Sequence, residues 1–286
     1  MGILAHMRFH HVAVISLLAL AAGCRTPAPA VAEASPSTEP LVAATTSSVA
    51  QATPVATAPA SAASSSAAGA VADASSADAA LLARLSAIAP QADRGVLALA
   101  LAARECAVAS GEVDADSRLA VIDYSLPSTK RRLWVFDVSG GKLLHHELVA
   151  HGSGSGENYA TSFSNQADSH QTSLGLFRTA ETYVGGNGYS LRLDGLEPGV
   201  NDNARARAIV MHGAWYVDPN LAKVQGRIGR SHGCPAVRPE VAQLLIDTLK
   251  GGQYVFSYYP DPKWLASSPL LNCNTGGMVS AAAGAP

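Results

Sequence analysis

Short apolar runs separated by turn-forming residues dominate the chain from residue 119 onward. Such runs, rich in Val, Ile, Leu, Phe and Tyr and bounded by Gly, Asn, Asp or Ser, are typical of β-strands. The predicted strands are Leu119–Tyr124, Leu133–Val138, Lys142–Ala150, Leu174–Thr179, Ser190–Leu193, Ala208–His212 and Gln253–Tyr259.

Helical spacing occurs on both sides of these strands. Four apolar residues lie on one face of a helix that ends before Pro90, and an Ala-rich helix is predicted from Ala92 to Ser110. A third helix is predicted to begin at Pro239 and to stop at Gly251. The pattern therefore predicts a mainly β domain with flanking helices (α+β): helical support at residues 78–112, the β domain at 113–265, and a loop-like tail at 266–286.

Residues 1–24 are typical of an export signal. The apolar run Val12–Ala22 is too short to span a bilayer and has the length of the apolar core of a signal peptide. The segment Leu20–Cys24 resembles the lipobox of bacterial lipoproteins, in which Cys24 would be lipidated. Lipidation predicts an exported, periplasmic protein held at a membrane, whereas ordinary cleavage would leave Cys24 without a role.

Composition changes the interpretation of the next segment. The protein has 286 residues, of which 48% are hydrophobic, but residues 25–77 consist largely of Ala, Pro, Ser, Thr and Val with few charges. Such a segment cannot bury enough surface to offset its chain entropy, so a disordered linker is predicted. Lys and Arg number 20 against 22 Asp and Glu, a net charge of −2, which argues against nucleic-acid binding.

Three cysteines remain if Cys24 is lipidated. An exported protein can keep disulfides, and a bridge between Cys106 and Cys273 would join the two ends of the β domain. It would leave Cys234 as a free thiol. The alternative is that Cys106 is a buried apolar residue and Cys273 an exposed loop residue.

Candidate chemistry is concentrated around Cys234. A cysteine nucleophile needs a base that generates thiolate and later protonates the leaving amine, and imidazole titrates near neutral pH. His212, at the end of an apolar strand, is the candidate base. The neighbouring Gly213 and Gly233 allow the backbone to approach a substrate closely, so that amide groups there are candidates for an oxyanion hole.

These residues resemble a known family. His212-Gly213, a gap of 17 residues and then Ser231-His232-Gly233-Cys234 are similar to the HG…SHGC signature of the bacterial L,D-transpeptidases with a YkuD-like catalytic domain, and in particular of the murein L,D-transpeptidase subfamily. The resemblance covers residues 90–260 and includes the blocks Ile122–Ser128, Val149–Gly152, Phe163–Asn165, Thr172–Gly175 and Gly229–Val237.

The resemblance implies a YkuD-like β-sandwich or barrel and a set of roles. Cys234 would be the nucleophile, His212 the base oriented by Gly213, and the amides of Gly233 and Cys234 the oxyanion donors. His232, next to Ser231, would lie on the substrate side. The segment 172–175, which includes Ser173 and Gly175, takes the place of a sequence element that helps to form the substrate groove in this family.

The substrate implied by the resemblance is a peptidoglycan stem tetrapeptide. The usual Arg two residues after the cysteine is absent. The candidates for binding a substrate carboxylate are Arg207, Arg227, Arg230 and Arg238.

Three functions therefore remain open. The first is an acyltransferase that forms a thioester and passes it to an amine, the second an L,D-carboxypeptidase that passes it to water, and the third a non-catalytic wall-binding lipoprotein. No cofactor is implied, and the spacings of the histidines match no common metal-ligand pattern.

Overall fold

An eight-stranded mixed sheet is the centre of the computed structural model, which describes residues 78–112 and 118–273. The spatial order is β3-β2-β1-β8-β4-β5-β6-β7, with parallel pairs at β1–β8 and β6–β7 and antiparallel pairs elsewhere. The strands are β1 Arg118–Asp123, β2 Leu133–Asp137, β3 Lys142–Glu147, β4 Gly175–Gly185, β5 Gly188–Gly195, β6 Val210–Gly213, β7 Ala236–Val237 and β8 Tyr254–Tyr258.

The two edges of the sheet approach each other. An isolated antiparallel bridge joins Ala150, shortly after β3, to Ala236 in β7, with a hydrogen bond of 2.8 Å from the Ala150 amide to the Ala236 carbonyl. Pairing an edge strand removes exposed backbone donors and acceptors. The sheet is therefore nearly closed into a barrel, as the predicted fold class requires.

Helices cover the sheet on two sides. Residues 78–88 (α1) are helical, and α2 (Arg94–Ala109) begins at the cap Asp93, whose carboxylate accepts from the Val96 amide. Helix α4 (Pro239–Leu249) packs against β6. Two short helices, α3 (Pro219–Gln225) and α5 (Pro262–Ser267), were not predicted.

Strand β1 separates two parts of the core. Its side chains alternate, so that Leu119 and Val121 pack with α2 while Ala120 and Ile122 pack with α4 and the strands around β6. A strand buried on both faces reads as a continuous apolar run. The predicted mainly β fold with flanking helices is confirmed.

A disulfide joins Cys106 in α2 to Cys273, with a Cα–Cα distance of 6.1 Å. This is the pairing that the sequence left open. It fixes the start of the predicted tail, where Leu270 and Leu271 are buried in the same core as α2. Among the described residues Cys234 is the free cysteine.

The predicted export signal (1–24), Cys24 and the linker (25–77) lie outside the described residues. Within the described part of the chain, no helix is both long enough and apolar enough to cross a membrane.

Candidate active site

His212 lies near the end of β6, inside the sheet. Its backbone pairs with Ser190 of β5 on one side and with Ala236 of β7 on the other. The ring Nδ1 lies 3.0 Å from the Gly213 carbonyl oxygen, which can only accept, so Nδ1 carries the proton. The other ring nitrogen, Nε2, is therefore left to accept a proton.

The environment of His212 favours a neutral ring. Burial lowers the pKa of His212 below its usual value, and the hydrogen bond to Gly213 opposes this shift. The side chain is largely inaccessible, with 4% of the residue exposed. At neutral pH the imidazole is consequently uncharged and able to act as a base.

Cys234 lies two residues before the β7 partner of His212. Its Sγ accepts from the Val210 amide at 3.5 Å and lies 3.7 Å from the Ala208 carbonyl oxygen. Val210 is itself two residues before His212 in β6. The structure thus anchors the sulfur beside the strand that carries the imidazole.

The thiol is protonated at rest. Burial raises the pKa of Cys234, while the Val210 amide, the charge of Arg207 and the cysteine's own amide lower it by less. Because the pKa of His212 is lowered and that of Cys234 is raised, both groups are uncharged at neutral pH.

Ser231 shapes the loop that carries the thiol. Its hydroxyl donates to the Cys234 carbonyl at 2.7 Å and accepts from the Gly233 amide at 3.1 Å. The Gly233 N–H, which the sequence offered as an oxyanion donor, is therefore engaged within the loop. Ser231 holds the turn around the cysteine.

Gly233 must be glycine for two reasons. Its φ of +119° lies in a region that other residues rarely adopt, and a Cβ there would lie 2.8 Å from the Gln171 carbonyl oxygen. Thr172 fixes the same loop, because its hydroxyl donates to the Gly233 carbonyl at 3.3 Å and accepts from the Gly152 amide at 2.9 Å. The cysteine loop is thus tied to two segments distant in sequence.

Gly213 has a different role. Its Cβ position lies 2.9 Å from the Ala242 Cβ in α4, so the absence of a side chain lets the helix approach β6 closely. At the same time its carbonyl orients His212.

A buried Arg–His pair, which the sequence did not predict, supports the loop that carries Cys234. The Arg132 guanidinium donates to His151 Nδ1 at 2.7 Å, and the backbone of His151 accepts from the Ser231 amide at 2.9 Å. Burial and the nearby Arg132 charge lower the pKa of His151 to about 4, which keeps this ring neutral. In the sequence Arg132 follows Lys130 and Arg131, and nothing there indicates its burial.

Two tyrosines share the electrostatic environment of the thiol. Burial raises the pKa of Tyr216 to about 12, and the charge that Cys234 would carry contributes to that shift. The pKa of the fully buried Tyr124 is raised for the same reasons, against the opposing effect of Arg132. Both phenols are therefore neutral at physiological pH. Tyr124 ended a predicted strand, but nothing in the sequence placed Tyr216 near the thiol.

Arg207 organises the segment opposite the thiol. Its guanidinium donates to the carbonyls of Ser164 at 2.7 Å and Gln171 at 2.6 Å, and to the hydroxyls of Ser173 at 2.6 Å and Ser169 at 3.2 Å. Burial lowers the pKa of Arg207, although its interaction with the thiol opposes this. Ser173 therefore has a partner within the protein.

The other three candidate arginines also bind protein groups. Arg227 and Arg230 both pair with Glu157, at 2.9 and 2.7 Å. Arg238 makes a two-pronged pair with Glu147, with contacts of 3.1, 3.0 and 2.8 Å. Arg238 also lines a groove of about 260 Å³ beside the exposed Trp215.

Gly175 and His232 have different surroundings. Gly175 has a φ of +96° and contacts the buried Glu197 and Asn201, which makes it a structural glycine at the start of β4. His232 is exposed at the surface next to Gly233 and stacks on His170. Among the described residues, no group of three or more His, Cys, Asp or Glu side chains is arranged to hold a metal ion.

A family model matches most of the described part of the chain. The family model "L,D-transpeptidase catalytic domain" matches residues 88–258, more than half of the chain. The comparison with curated proteins gave no match.

Similar solved structures include three L,D-transpeptidases. The first, from Mycobacterium smegmatis, is 16% identical with a TM-score of 0.31 over 50% of this chain and 59% of that one. The second, from Stackebrandtia nassauensis, is 16% identical with a TM-score of 0.31 over 60% and 69%. The third, L,D-transpeptidase 3 of Mycobacterium tuberculosis with a faropenem-derived adduct, is 18% identical with a TM-score of 0.30 over 49% and 59%.

The chain spans less than two thirds of the M. smegmatis and M. tuberculosis proteins. The family assignment rests on the matched family model, and the chain belongs to the family of proteins with an L,D-transpeptidase catalytic domain.

Proposed function

We propose that this protein is a cysteine-dependent L,D-transpeptidase that acts on peptidoglycan stem peptides. The observation that carries the proposal is the Cys234 thiol, held beside the strand whose end presents the neutral His212 imidazole. A nucleophile, a base and a group that orients the base form the arrangement that covalent acyl transfer needs.

The first half-reaction forms a thioester. His212 Nε2 takes the thiol proton while Sγ attacks the carbonyl carbon of the third stem residue, and the carbonyl oxygen becomes an oxyanion. The bond to the terminal D-Ala nitrogen then breaks, and the His212 imidazolium gives its proton to the leaving amine. The acyl group is now joined to Sγ as a thioester, and D-Ala is released.

The second half-reaction restores the thiol. An amine of a neighbouring stem attacks the thioester and loses a proton to His212, and that proton returns to the departing sulfur. The product is a peptide bond between two stems. Water as the acceptor would instead yield a shortened stem and a carboxylate.

The backbone amide of Cys234 is the proposed oxyanion donor. Since the Gly233 amide is bound by Ser231, it contributes to the oxyanion hole only if that hydrogen bond rearranges when substrate binds. A donor of this kind contributes about 3–4 kcal/mol of barrier reduction in enzymes where it has been removed.

Of the four candidate arginines, Arg207 is the one we assign to the site. Its charge acts on the thiol, and its four hydrogen bonds hold the segment that faces Gly233. We assign a structural role, rather than substrate binding, to Arg227, Arg230 and Arg238, because each is paired with a carboxylate.

The proposal places the protein outside the cytoplasm. Peptidoglycan stems lie there, and residues 1–24 have the pattern of an export signal. Lipidation of Cys24 would anchor the chain at a membrane, with the linker 25–77 letting the catalytic domain reach the wall.

The test is mass spectrometry of muropeptides after sacculi rich in tetrapeptides are incubated with the purified protein. We expect stem dimers joined through their third residues, none of which form with Cys234→Ala or His212→Ala. Tripeptides without dimers would identify the carboxypeptidase.

A matched control is His146→Ala, which alters a histidine on β3 whose ring stacks on Trp134 and makes no contact with Cys234 or His212 among the hydrogen bonds and ring contacts of the described residues. It should leave product formation unchanged. If neither dimers nor tripeptides form, and a carbapenem does not label Cys234, the protein is not an acyltransferase and the non-catalytic wall-binding function becomes the better description.

A further inference from the structure

Two histidine rings stack on each other, and one of them lies two residues before Cys234 in the chain. The centroids of His170 and His232 are 4.2 Å apart and their planes differ by 6°. Both residues are exposed, and His232 is two residues from Cys234. The mechanism proposed above uses neither ring.

The backbone around His170 adopts an uncommon conformation. His170 has a φ of +52° and Asp168 a φ of +56°, both in the left-handed region. Non-glycine residues adopt it at an energetic cost, and such positions persist where the surrounding structure fixes them, often at functional sites.

Several hydrogen bonds fix this conformation. Arg207 donates to the Gln171 carbonyl at 2.6 Å and to the Ser169 hydroxyl at 3.2 Å, on either side of His170. The His170 carbonyl accepts from the Gly154 amide at 2.9 Å. The segment is therefore held from both sides, and the His170 ring has a defined place over His232.

We propose that His170 is a positioning residue for acyl transfer, which fixes the ring of His232 at the mouth of the Cys234 site so that the stacked pair offers a flat face to a peptide bond of the stem. An exposed histidine without a partner samples several rotamers, and ordering it on substrate binding costs entropy. A ring already ordered by stacking avoids that cost. This inference rests on the proposed acyltransferase function.

The experiment compares three substitutions at His170 in the full chain. His170→Ala removes the ring. His170→Asn also removes it but keeps a residue that tolerates the left-handed backbone. His170→Phe keeps a flat ring without imidazole nitrogens.

Aromatic stacking of this kind corresponds to about a twofold to tenfold effect on binding. We expect KM for the donor peptide to rise about that much in His170→Ala and His170→Asn, with kcat changed less than twofold. His170→Phe should return KM to within about twofold of the original protein. His146→Ala, which removes a histidine stacked on Trp134 at 5.0 Å on β3, is the matched control and should leave KM unchanged.

A spectroscopic readout separates positioning from stability. In NMR spectra the ring protons of His232 should shift in His170→Ala and His170→Asn, because the ring current of the partner is lost, and should remain shifted from a free histidine in His170→Phe.

The outcomes distinguish the two proposals. If the unsubstituted protein forms no thioester and no product, the proposed function fails. If it is active but KM is the same in all three variants, or if His170→Phe is as impaired as His170→Ala, the positioning role is wrong.

Discussion

Gly213→Ala should weaken the protein by forcing α4 away from β6. The φ of Gly213 is not positive, so the backbone itself accepts alanine. The added Cβ would, however, lie 2.9 Å from the Ala242 Cβ, whereas carbon atoms pack best at about 3.5–4.0 Å. The helix must therefore shift by at least about 0.6 Å, and overpacking of this kind costs about 1–3 kcal/mol.

The clash has a defined partner, which makes a double-mutant cycle possible. Ala242→Gly removes the opposing Cβ and by itself costs about 1 kcal/mol of helix stability. If the contact is the cause, the double variant should be no less stable than Ala242→Gly alone, which gives a coupling energy of about 1–3 kcal/mol.

Urea titration measures the free energy of unfolding of each variant. The rate at which a carbapenem labels Cys234 measures the integrity of the candidate active site. Labelling should slow in Gly213→Ala, because the same shift displaces the carbonyl that orients His212, and should recover in the double variant. Gly186→Ala is the control, since that glycine has nothing within 4 Å of its Cβ position and no positive φ. Additive costs in the cycle would refute this account of Gly213.

Four further outcomes are expected. Cys106→Ser opens the disulfide and should lower the free energy of unfolding, measured by urea titration, by about 2–5 kcal/mol. Carbapenem labelling of the folded protein should not slow. Unchanged stability would contradict this expectation. Arg238→Gln should cost about 1–3 kcal/mol because Glu147 loses a charged partner, while KM stays constant; a large rise in KM with unchanged stability would make Arg238 a substrate ligand. The rate of Cys234 alkylation by iodoacetamide should keep rising above pH 8.5, because burial raises the pKa of this thiol, whereas a plateau below pH 8 would contradict a protonated thiol at neutral pH. Carbapenem labelling should fall only below about pH 6.5, because a lowered pKa keeps His212 neutral to more acid pH; loss already at pH 7 would be the opposite result.

Local pattern predicted the strands well, because burial on one or both faces leaves a direct mark on the sequence. Leu133–Val138 differs from β2 by one residue at its C-terminal end, and Gln253–Tyr259 differs from β8 by one residue at each end. The two-residue strand β7 could not be found this way, since its pairing with His212 and with Ala150 depends on contacts across the fold. The extension of β4 to Gly185 was missed because Glu181 and the glycines that follow resemble a turn.

The candidate site was predictable in its reacting groups but not in its support. Cys234 and His212 have reactive side chains beside glycines, which any search for covalent catalysis would examine. Arg132 is an ordinary basic residue in the sequence, and only the fold reveals that it is buried and donates to His151. The contact of His170 with His232 depends on a left-handed backbone, which no periodicity encodes.

The neutral state of the thiol and the imidazole constrains how the proposed acyl transfer proceeds. A cysteine that is already a thiolate attacks without moving a proton, but burial disfavours that charge at Cys234. The same burial disfavours an imidazolium at His212. In the proposed reaction, charge separation between the two groups is therefore disfavoured, and we expect proton transfer to His212 to accompany the attack of Sγ on the substrate carbonyl. For this reason the orientation of His212 by Gly213, and the packing of α4 that holds Gly213 in place, bear directly on the rate of acylation.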